Sequence, residues 1–254
     1  MVANRNPELS PANCHGRPLM APVDGIGLAT QEGERSVDST CTQILRAACQ
    51  EFATRPYSSV SLEDILARAH ATKGAMYAHF GSKRALAEAI IGERSALARM
   101  SVIEVLGHRL SGLETVIDVV YRMAVQDYTT DIGRAARNLT DSIGRIEGVQ
   151  ADGLSKWVQV MTPAVARARD EGDVLDGADA EDVARLIISV YFGTQASIGT
   201  NDFGQFLSRL ERNWQFVLPG FAEPDRIDYL TNFIRRRTAH ALNNSRGRAD
   251  GPSD

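Results

Sequence analysis

Apolar residues along this chain recur at helical spacing, three or four apart, through most of its length. A first helix is expected from Val37 to Ala53, with Ile44, Leu45, Ala48 and Phe52 on one face. Arg55-Pro56-Tyr57 stops it, because the proline ring blocks a helical backbone and its nitrogen has no hydrogen to donate. Ser61 then fits an N-cap, with Asp64 three residues on as its reciprocal partner. Leu62, Ile65, Leu66 and Ala69 follow at i, i+3, i+4 and i+7, one buried stripe on a short helix. His70-Ala71 makes a tight connection, and Thr72 caps a second short helix that runs to about Phe80. Gly81-Ser82 separates it from a longer helix between Lys83 and about Leu110. Further helices are expected near 112–130, 133–147, 153–171, 179–199, 203–217 and 224–242, punctuated by Gly112, Gly133, Gly172 and Leu218-Pro219-Gly220. No run of alternating β-branched residues with hairpin turns interrupts this pattern, so the expected fold class is all-α.

The two ends read differently. Residues 1–34 are rich in Pro, Gly, Asn and Ala without a sustained apolar period, and 243–254 are similarly polar, so both are expected to be disordered tails. The first residues show no basic start followed by an apolar stretch, so no export signal is expected. No apolar run approaches the ~18 residues a bilayer crossing needs, and the expected location is the cytoplasm, with no membrane partner. Cys14, Cys41 and Cys49 lack C-x-x-C spacing, and the expectation is small core residues, without a disulfide framework or a metal site.

Charge adds one detail. The net charge is −4, yet residues 35–99 hold nine Lys/Arg against six Asp/Glu, while 100–254 hold 17 against 22. A modestly basic segment in an acidic chain suits a small nucleic-acid module, although a swing of this size also arises by chance.

The informative stretch is Ser61 to Leu86, SLEDILARAHATKGAMYAHFGSKRAL. Two short helices joined by a tight turn form a helix-turn-helix, whose second helix enters the major groove. Thr72, Lys73, Gly74, Tyr77 and His79 give that second helix donors and little bulk. Gly74 costs the helix about 1 kcal/mol relative to alanine, a cost that makes sense where the backbone must approach a phosphate or base edge. Tyr77 and Lys83 are placed to reach phosphates, and Phe80 reads as a core plug. Spacing alone leaves an ordinary helical hairpin with a polar end equally open.

This stretch resembles the DNA-binding domain of the tetracycline-repressor (TetR) family, whose signature is close to T-K-G-x-x-Y-x-H-F-x-S-K-x-x-L. Thr72, Lys73, Gly74, Tyr77, His79, Phe80, Ser82, Lys83 and Leu86 all stand in place. His70 departs from the family, which usually has glycine in the turn; the turn is expected to persist with some strain. The resemblance implies a DNA-binding domain over 35–82 and a ligand-binding, dimerising body over 83–242, joined by the helix that starts at Lys83. It implies DNA contacts from Thr72, Lys73 and Tyr77 first, then His79 and Lys83, with Arg35 and Ser36 either adding contacts or standing as solvated tail residues.

The body is most similar to the γ-butyrolactone receptor branch of that family. Trp157 followed by Pro163, the Ala168-Arg169-Asp170-Glu171-Gly172-Asp173-Val174 helix end and Tyr191-Phe192-Gly193-Thr194-Gln195 carry the likeness, with Phe192 where the branch usually has threonine. The resemblance implies a repressor released from double-stranded operator DNA by a small lipophilic effector and controlling secondary metabolism. Such an effector needs an apolar cavity with a few directed polar groups. Trp157 and Met161 would form one wall, with Tyr191, Thr194 and Gln195 supplying polar groups; on spacing alone Trp157 and Met161 are core. Gln126 and Tyr128 are secondary candidates. A homodimer is expected, with Ala184, Ile187, Ile188, Tyr191 and Gln195 forming one interface stripe and Phe206, Leu210, Trp214 and Val217 another; either stripe serves equally as internal core. No nucleophile elbow, P-loop, H-E-x-x-H or dinucleotide fingerprint is present, so neither an enzyme nor a cofactor is expected. A different effector, such as a furan, butenolide or drug, and a ligand-binding scaffold without operator binding stay open.

Overall fold

The computed structural model describes residues 40–106, 110–143, 149–198 and 202–249. The expected N-terminal tail, Cys14, Arg35, Ser36 and the first turn of the helix expected from Val37 lie outside them. Among the described residues ten α-helices follow in order: α1 Thr40–Thr54, α2 Leu62–Ala69, α3 Lys73–Phe80, α4 Lys83–Leu106, α5 Gly112–Thr129, α6 Asp131–Ile143, α7 Val149–Asp170, α8 Ala180–Ser197, α9 Phe203–Val217 and α10 Ile227–Ala249. A 3-10 turn at Tyr57–Ser59 follows the proline break, as that break requires. The chain is all-α, and among the described residues the one β feature is an isolated antiparallel bridge between Val174 and Ala222.

Two hydrophobic cores organise these helices. The first packs Ile44 and Phe52 of α1, Ile65 of α2, Met76 and Phe80 of α3, and Leu86 and Ile90 of α4. It also takes in Ile132, Ala135, Ala136 and Leu139 of α6. The second is the body: α5 runs through its centre and is covered by α7, α8, α9 and α10. Helix α4 enters both cores, through Leu86, Ala87 and Ile90 at one end and Ala98 further along. The division expected at residue 82 therefore separates the chain in sequence, whereas in packing α6 completes the first core. Asn138 strengthens that join, its amide donating to the carbonyls of Phe52 at 2.9 Å and Ala53 at 3.3 Å. Those are the last carbonyls of α1, which have no partner within their own helix.

Glycines expected as punctuation divide into two kinds. Gly172 is a true terminator, at φ +78° just past the end of α7. Gly133 lies inside α6, where a Cβ would sit 2.0 Å from the Gln126 carbonyl oxygen and 2.7 Å from the Asp127 Cα. It allows α6 to cross the end of α5 with almost no space between the backbones. Gly112 does the same at the start of α5, where a Cβ would meet the Ala168 nitrogen at 2.3 Å. The far end of the body is tied by Leu175 N–H donating to the Phe221 carbonyl at 2.9 Å, Glu223 N–H to Asp173 at 3.1 Å, and Arg226 to the buried Asp173 carboxylate at 2.7 Å.

One expectation needs correction. Helix α10 continues to Ala249, where a tail was expected from 243. Asn243, Asn244 and Gly247 weaken a helix without stopping it, and the first proline beyond them is Pro252. Cys49 is a buried free thiol, raised to a pKa of about 12 by burial and neighbouring carboxylates, as a core cysteine should be. Cys41 is also buried in the first core.

The two kinds of helical glycine give opposite expectations. Gly133→Ala should destabilise by about 1–3 kcal/mol, although alanine is the better helix former, because two backbones would have to separate. Gly92→Ala, where nothing lies within 4 Å of the added carbon, should stabilise by up to about 1 kcal/mol. Urea unfolding at one fixed protein concentration measures both; a stabilised Gly133→Ala would contradict the close crossing.

Candidate DNA-reading face and effector site

The turn between α2 and α3 is built from local bonds. The Ser61 hydroxyl accepts the Asp64 N–H and the Asp64 carboxylate accepts the Ser61 N–H, both at 3.0 Å, which closes the expected capping box. Helix α2 ends on His70 at φ 50°, ψ 38°, the one non-glycine residue in the left-handed region among those described. Ala71 N–H then reaches back to the Leu66 carbonyl at 3.1 Å. The turn thus forms as expected, with the strain expected of histidine in a position that suits glycine. The Thr72 hydroxyl accepts the Ala75 N–H at 3.2 Å and starts α3. Behind it, buried Glu51 accepts from Arg68 at 2.7 Å and from Arg55 at 2.9 Å. The hydrogen bond from Arg68, helped by that from Arg55, holds the Glu51 carboxyl below its ordinary pKa.

Only Met76 and Phe80 of α3 are buried, one turn apart, and they fix the helix on the first core. Thr72, Lys73, Gly74, Tyr77 and His79 are all exposed, Tyr77 to 54%. Among the described residues Lys73 is engaged only by Glu63 at 2.7 Å, with both side chains more than 60% exposed. A pair so open to water contributes little, so the ammonium is free to exchange Glu63 for a phosphate. A Cβ on Gly74 would find only the Thr72 hydroxyl, at 3.8 Å. Nothing inside the protein demands glycine there.

Lys83 does not join this face. Its ammonium donates to the Tyr57 carbonyl at 2.5 Å and lies 4.1 Å from the Tyr57 ring, which itself stacks on Phe52. Partial burial lowers its pKa. In this conformation it ties α4 to the 3-10 turn, and the phosphate role expected of it would require breaking that bond. Ser82 caps α4 beside it, its hydroxyl accepting the Ala85 N–H at 3.0 Å.

In the body, three of the five expected effector residues converge. The Tyr191 hydroxyl donates to Asp127 Oδ2 at 2.6 Å, and the Gln195 amide donates to the same oxygen at 3.3 Å. Arg94 Nε donates to Asp127 Oδ1 at 2.7 Å, and the Arg94 guanidinium carbon lies 5.7 Å from the Trp157 ring. Burial, with the Asp127 charge next, pushes the Tyr191 phenol well above its ordinary pKa, so it stays a donor. Met161, one turn after Trp157, is buried with it in the body core.

Thr194 is placed elsewhere. It follows Tyr191 by three positions and Gln195 by minus one, so it points about 100° away from the glutamine around α8. Its hydroxyl accepts from Asn213 at 2.7 Å and lines an open groove of about 780 Å³ between α8 and α9, with Gly193, Arg209 and Phe216. Tyr128 is buried against Phe203 and Phe206 at 5.3 and 4.7 Å, with Arg137 4.1 Å over its ring; burial raises its pKa to about 12. The Gln126 carbonyl accepts from Thr130 at 2.7 Å at the α5–α6 elbow. The stripes offered for a dimer interface also turn inward: Ala184, Ile188, Tyr191 and Phe206 are 0% exposed and Trp214 3%. The more apolar face of each helix seats in the core, which leaves Leu186 at 41% and Phe216 at 77% exposure on the other side.

Sequence reasoning does not single out Arg94 and Asp127. Each is a lone charge in an apolar helical stripe, Arg94 between Ile90 and Ala98 and Asp127 beside Met123 and Ala124, and that was the available signal.

Residues 44–90 match the family model described as bacterial regulatory proteins, tetR family. Over 196 residues the chain is 26% identical to the A-factor receptor protein of Streptomyces griseus, covering 75% of this chain and 67% of the receptor. A crystal structure of a γ-butyrolactone receptor described as ArpA-like is similar with a TM-score of 0.65 and 25% identity, over 79% of this chain and 97% of that one. CprB of Streptomyces coelicolor, solved in complex with its operator sequence, is similar with a TM-score of 0.63 and 27% identity, over 79% and 97%. The resemblance to the TetR family and to its γ-butyrolactone receptor branch is borne out, as is the all-α fold with an N-terminal helix-turn-helix.

The turn geometry carries its own expectation. His70→Gly should raise stability by about 1 kcal/mol, since a left-handed backbone costs a residue with a Cβ roughly 1–2 kcal/mol. Thermal unfolding checks it, and a loss of stability would mean that the imidazole makes a compensating contact.

Proposed function

We propose that this protein is a homodimeric transcriptional repressor that reads operator DNA with α3 and is released by a small lipophilic, γ-butyrolactone-like effector bound in the body. The observation that carries the reading is the division of α3, with two side chains buried and Thr72, Lys73, Gly74, Tyr77 and His79 facing out. A solvated helix face gains nothing from Gly74, which weakens it, or from an exposed tyrosine. A groove that must be approached closely explains both. The operator complex of CprB supports the same use of the domain here.

One eight-residue helix reads few bases, so two copies are required on a symmetric site. The second copy is placed on the α8–α9 face, where Leu186, Phe216 and the groove beside Gly193 stand uncovered. Among the described residues no helix is long and apolar enough to cross a membrane. The body supplies the effector site at Trp157, Met161, Tyr191 and Gln195, with Thr194 at the neighbouring groove. Effector binding favours a body conformation that alters the spacing of the two reading helices, and its effect is bounded by its differential affinity for the two states.

Fluorescence anisotropy on the DNA upstream of the protein's own gene tests this reading. Lys73→Ala and Tyr77→Ala should each weaken binding by about 1–3 kcal/mol without changing the dimer. Gly74→Ala should stabilise the free protein by roughly 1 kcal/mol and yet weaken operator binding. A γ-butyrolactone should release the wild type but not Trp157→Ala. Normal operator binding by all three α3 variants would move DNA reading to another surface; no release by any lactone, furan or butenolide would remove the effector assignment alone.

A further inference from the structure

The exposed end of the helix-turn-helix carries a carboxylate as well as a cation. All five Lys and Arg side chains from Arg55 to Arg84 are engaged within the protein. Arg55 and Arg68 hold buried Glu51, Lys83 holds the Tyr57 carbonyl, and Arg84 pairs with Glu88 at 2.9 Å. Lys73 is the one Lys or Arg in α3, and its partner Glu63 comes from the first turn of α2. The hydrogen bond from Lys73 holds the Glu63 carboxyl below its ordinary pKa, so it is an anion at neutral pH. A first-turn acid complements the dipole of α2, but Asp64 already fills that place through the capping box. Glu63 stands outside the box, 65% exposed, beside the first residue of α3. A duplex that approaches Lys73 meets this negative charge too.

We propose that Glu63 is a specificity residue for DNA reading, which disfavours phosphate contacts by Lys73 and leaves that lysine to base edges. This rests on the assignment of α3 as the reading helix and adds how its single lysine discriminates. In water the pair is worth little, and Lys73 exchanges partners freely. A duplex changes the balance, because water leaves the contact and neighbouring charges are felt more strongly. An ammonium has three donors, so Lys73 can keep Glu63 and still donate to a second acceptor. If that acceptor is a phosphate, two anions share one cation, and the repulsion between them opposes the contact. Giving up Glu63 for the phosphate strands the carboxylate beside a polyanion. If the acceptor is O6 or N7 of guanine, it carries no net charge, and Glu63 keeps its partner. Random sequence is held almost entirely through phosphates, whereas an operator adds base edges. The carboxylate therefore weakens the first kind of complex more than the second, and selectivity rises through a repulsive element.

The test is Glu63→Gln, which removes the charge and keeps the shape. Anisotropy on the full-length protein compares the upstream operator duplex with a random duplex of equal length, across a series of salt concentrations. The variant should bind the random duplex at least about fivefold more tightly than the wild type, since a like charge has been withdrawn from the contact. Its slope of log affinity against log salt on random DNA should steepen by about 2, one further phosphate for each of two copies. Operator affinity should stay within about threefold, so the ratio of operator to random affinity falls. In a Lys73→Ala background the same substitution should leave the ratio as it was, because Glu63 acts through Lys73. A ratio that does not fall in Glu63→Gln, or that falls as far with Lys73 absent, would overturn the role of Glu63 and leave the reading helix in place. Equal, diffuse binding of both duplexes by the wild type would refute the reading helix itself, and the role of Glu63 with it.

Discussion

The DNA reading proposed for this molecule depends on holding an eight-residue helix by two side chains. Met76 and Phe80 are the buried residues of α3, and between them they must fix its depth and rotation. A helix this short has little stability of its own, since nucleation consumes most of what its few hydrogen bonds return. Order is imposed from outside: the Thr72 cap at its start, the left-handed His70 turn behind it, and a first core whose floor is α6. The arrangement leaves the remaining face of α3 without structural duties. The same economy explains the Glu51 clamp, where one buried carboxylate holds Arg55 after α1 and Arg68 on α2 and so sets the angle between those helices.

The second constraint is that the head has no independent floor. Ile132, Ala135, Ala136 and Leu139 of α6 sit in its core, and Asn138 holds the last carbonyls of α1. Helix α6 in turn leaves α5 through a crossing so tight that only glycine fits at position 133, next to Asp127. Asp127 is the residue on which Arg94, Tyr191 and Gln195 converge. Two routes therefore lead from the centre of the body to the core that carries α3: α4, which enters both cores, and the α5–α6 elbow. Both are rigid elements packed backbone against backbone or through buried side chains. A displacement at the body's centre would thus reach the head as a rotation of whole helices and not dissipate in loops.

Much of this was legible in the sequence wherever the signal was local. The Ser61–Asp64 box, the Thr72 cap, the proline break at Pro56 and the apolar stripes of α1 and α2 each state their own geometry within a few residues. The exposed set on α3 was legible because its residues match a dense motif. What failed was tertiary. A glycine that ends a helix and a glycine that lets two helices touch look the same in one chain, and Gly133 belongs to the second kind. Lys83 reads as a free cation until the Tyr57 carbonyl is found 26 positions away. The stripes on α8 and α9 were apolar enough for a dimer interface or a core, and the deeper burial won. Arg94 and Asp127 were each visible as a misplaced charge, but their pairing spans 33 positions and only the fold brings them together.

The proposed repressor presents the outer face of α3 in duplicate to one DNA duplex. Hydroxyl-radical footprinting of the protein on its upstream DNA measures this directly. Two protected patches are expected on the same side of the duplex, with centres one helical turn of ~10 base pairs or a multiple apart, in symmetric half-sites. A single patch, or diffuse protection that disappears with modest salt, would contradict it.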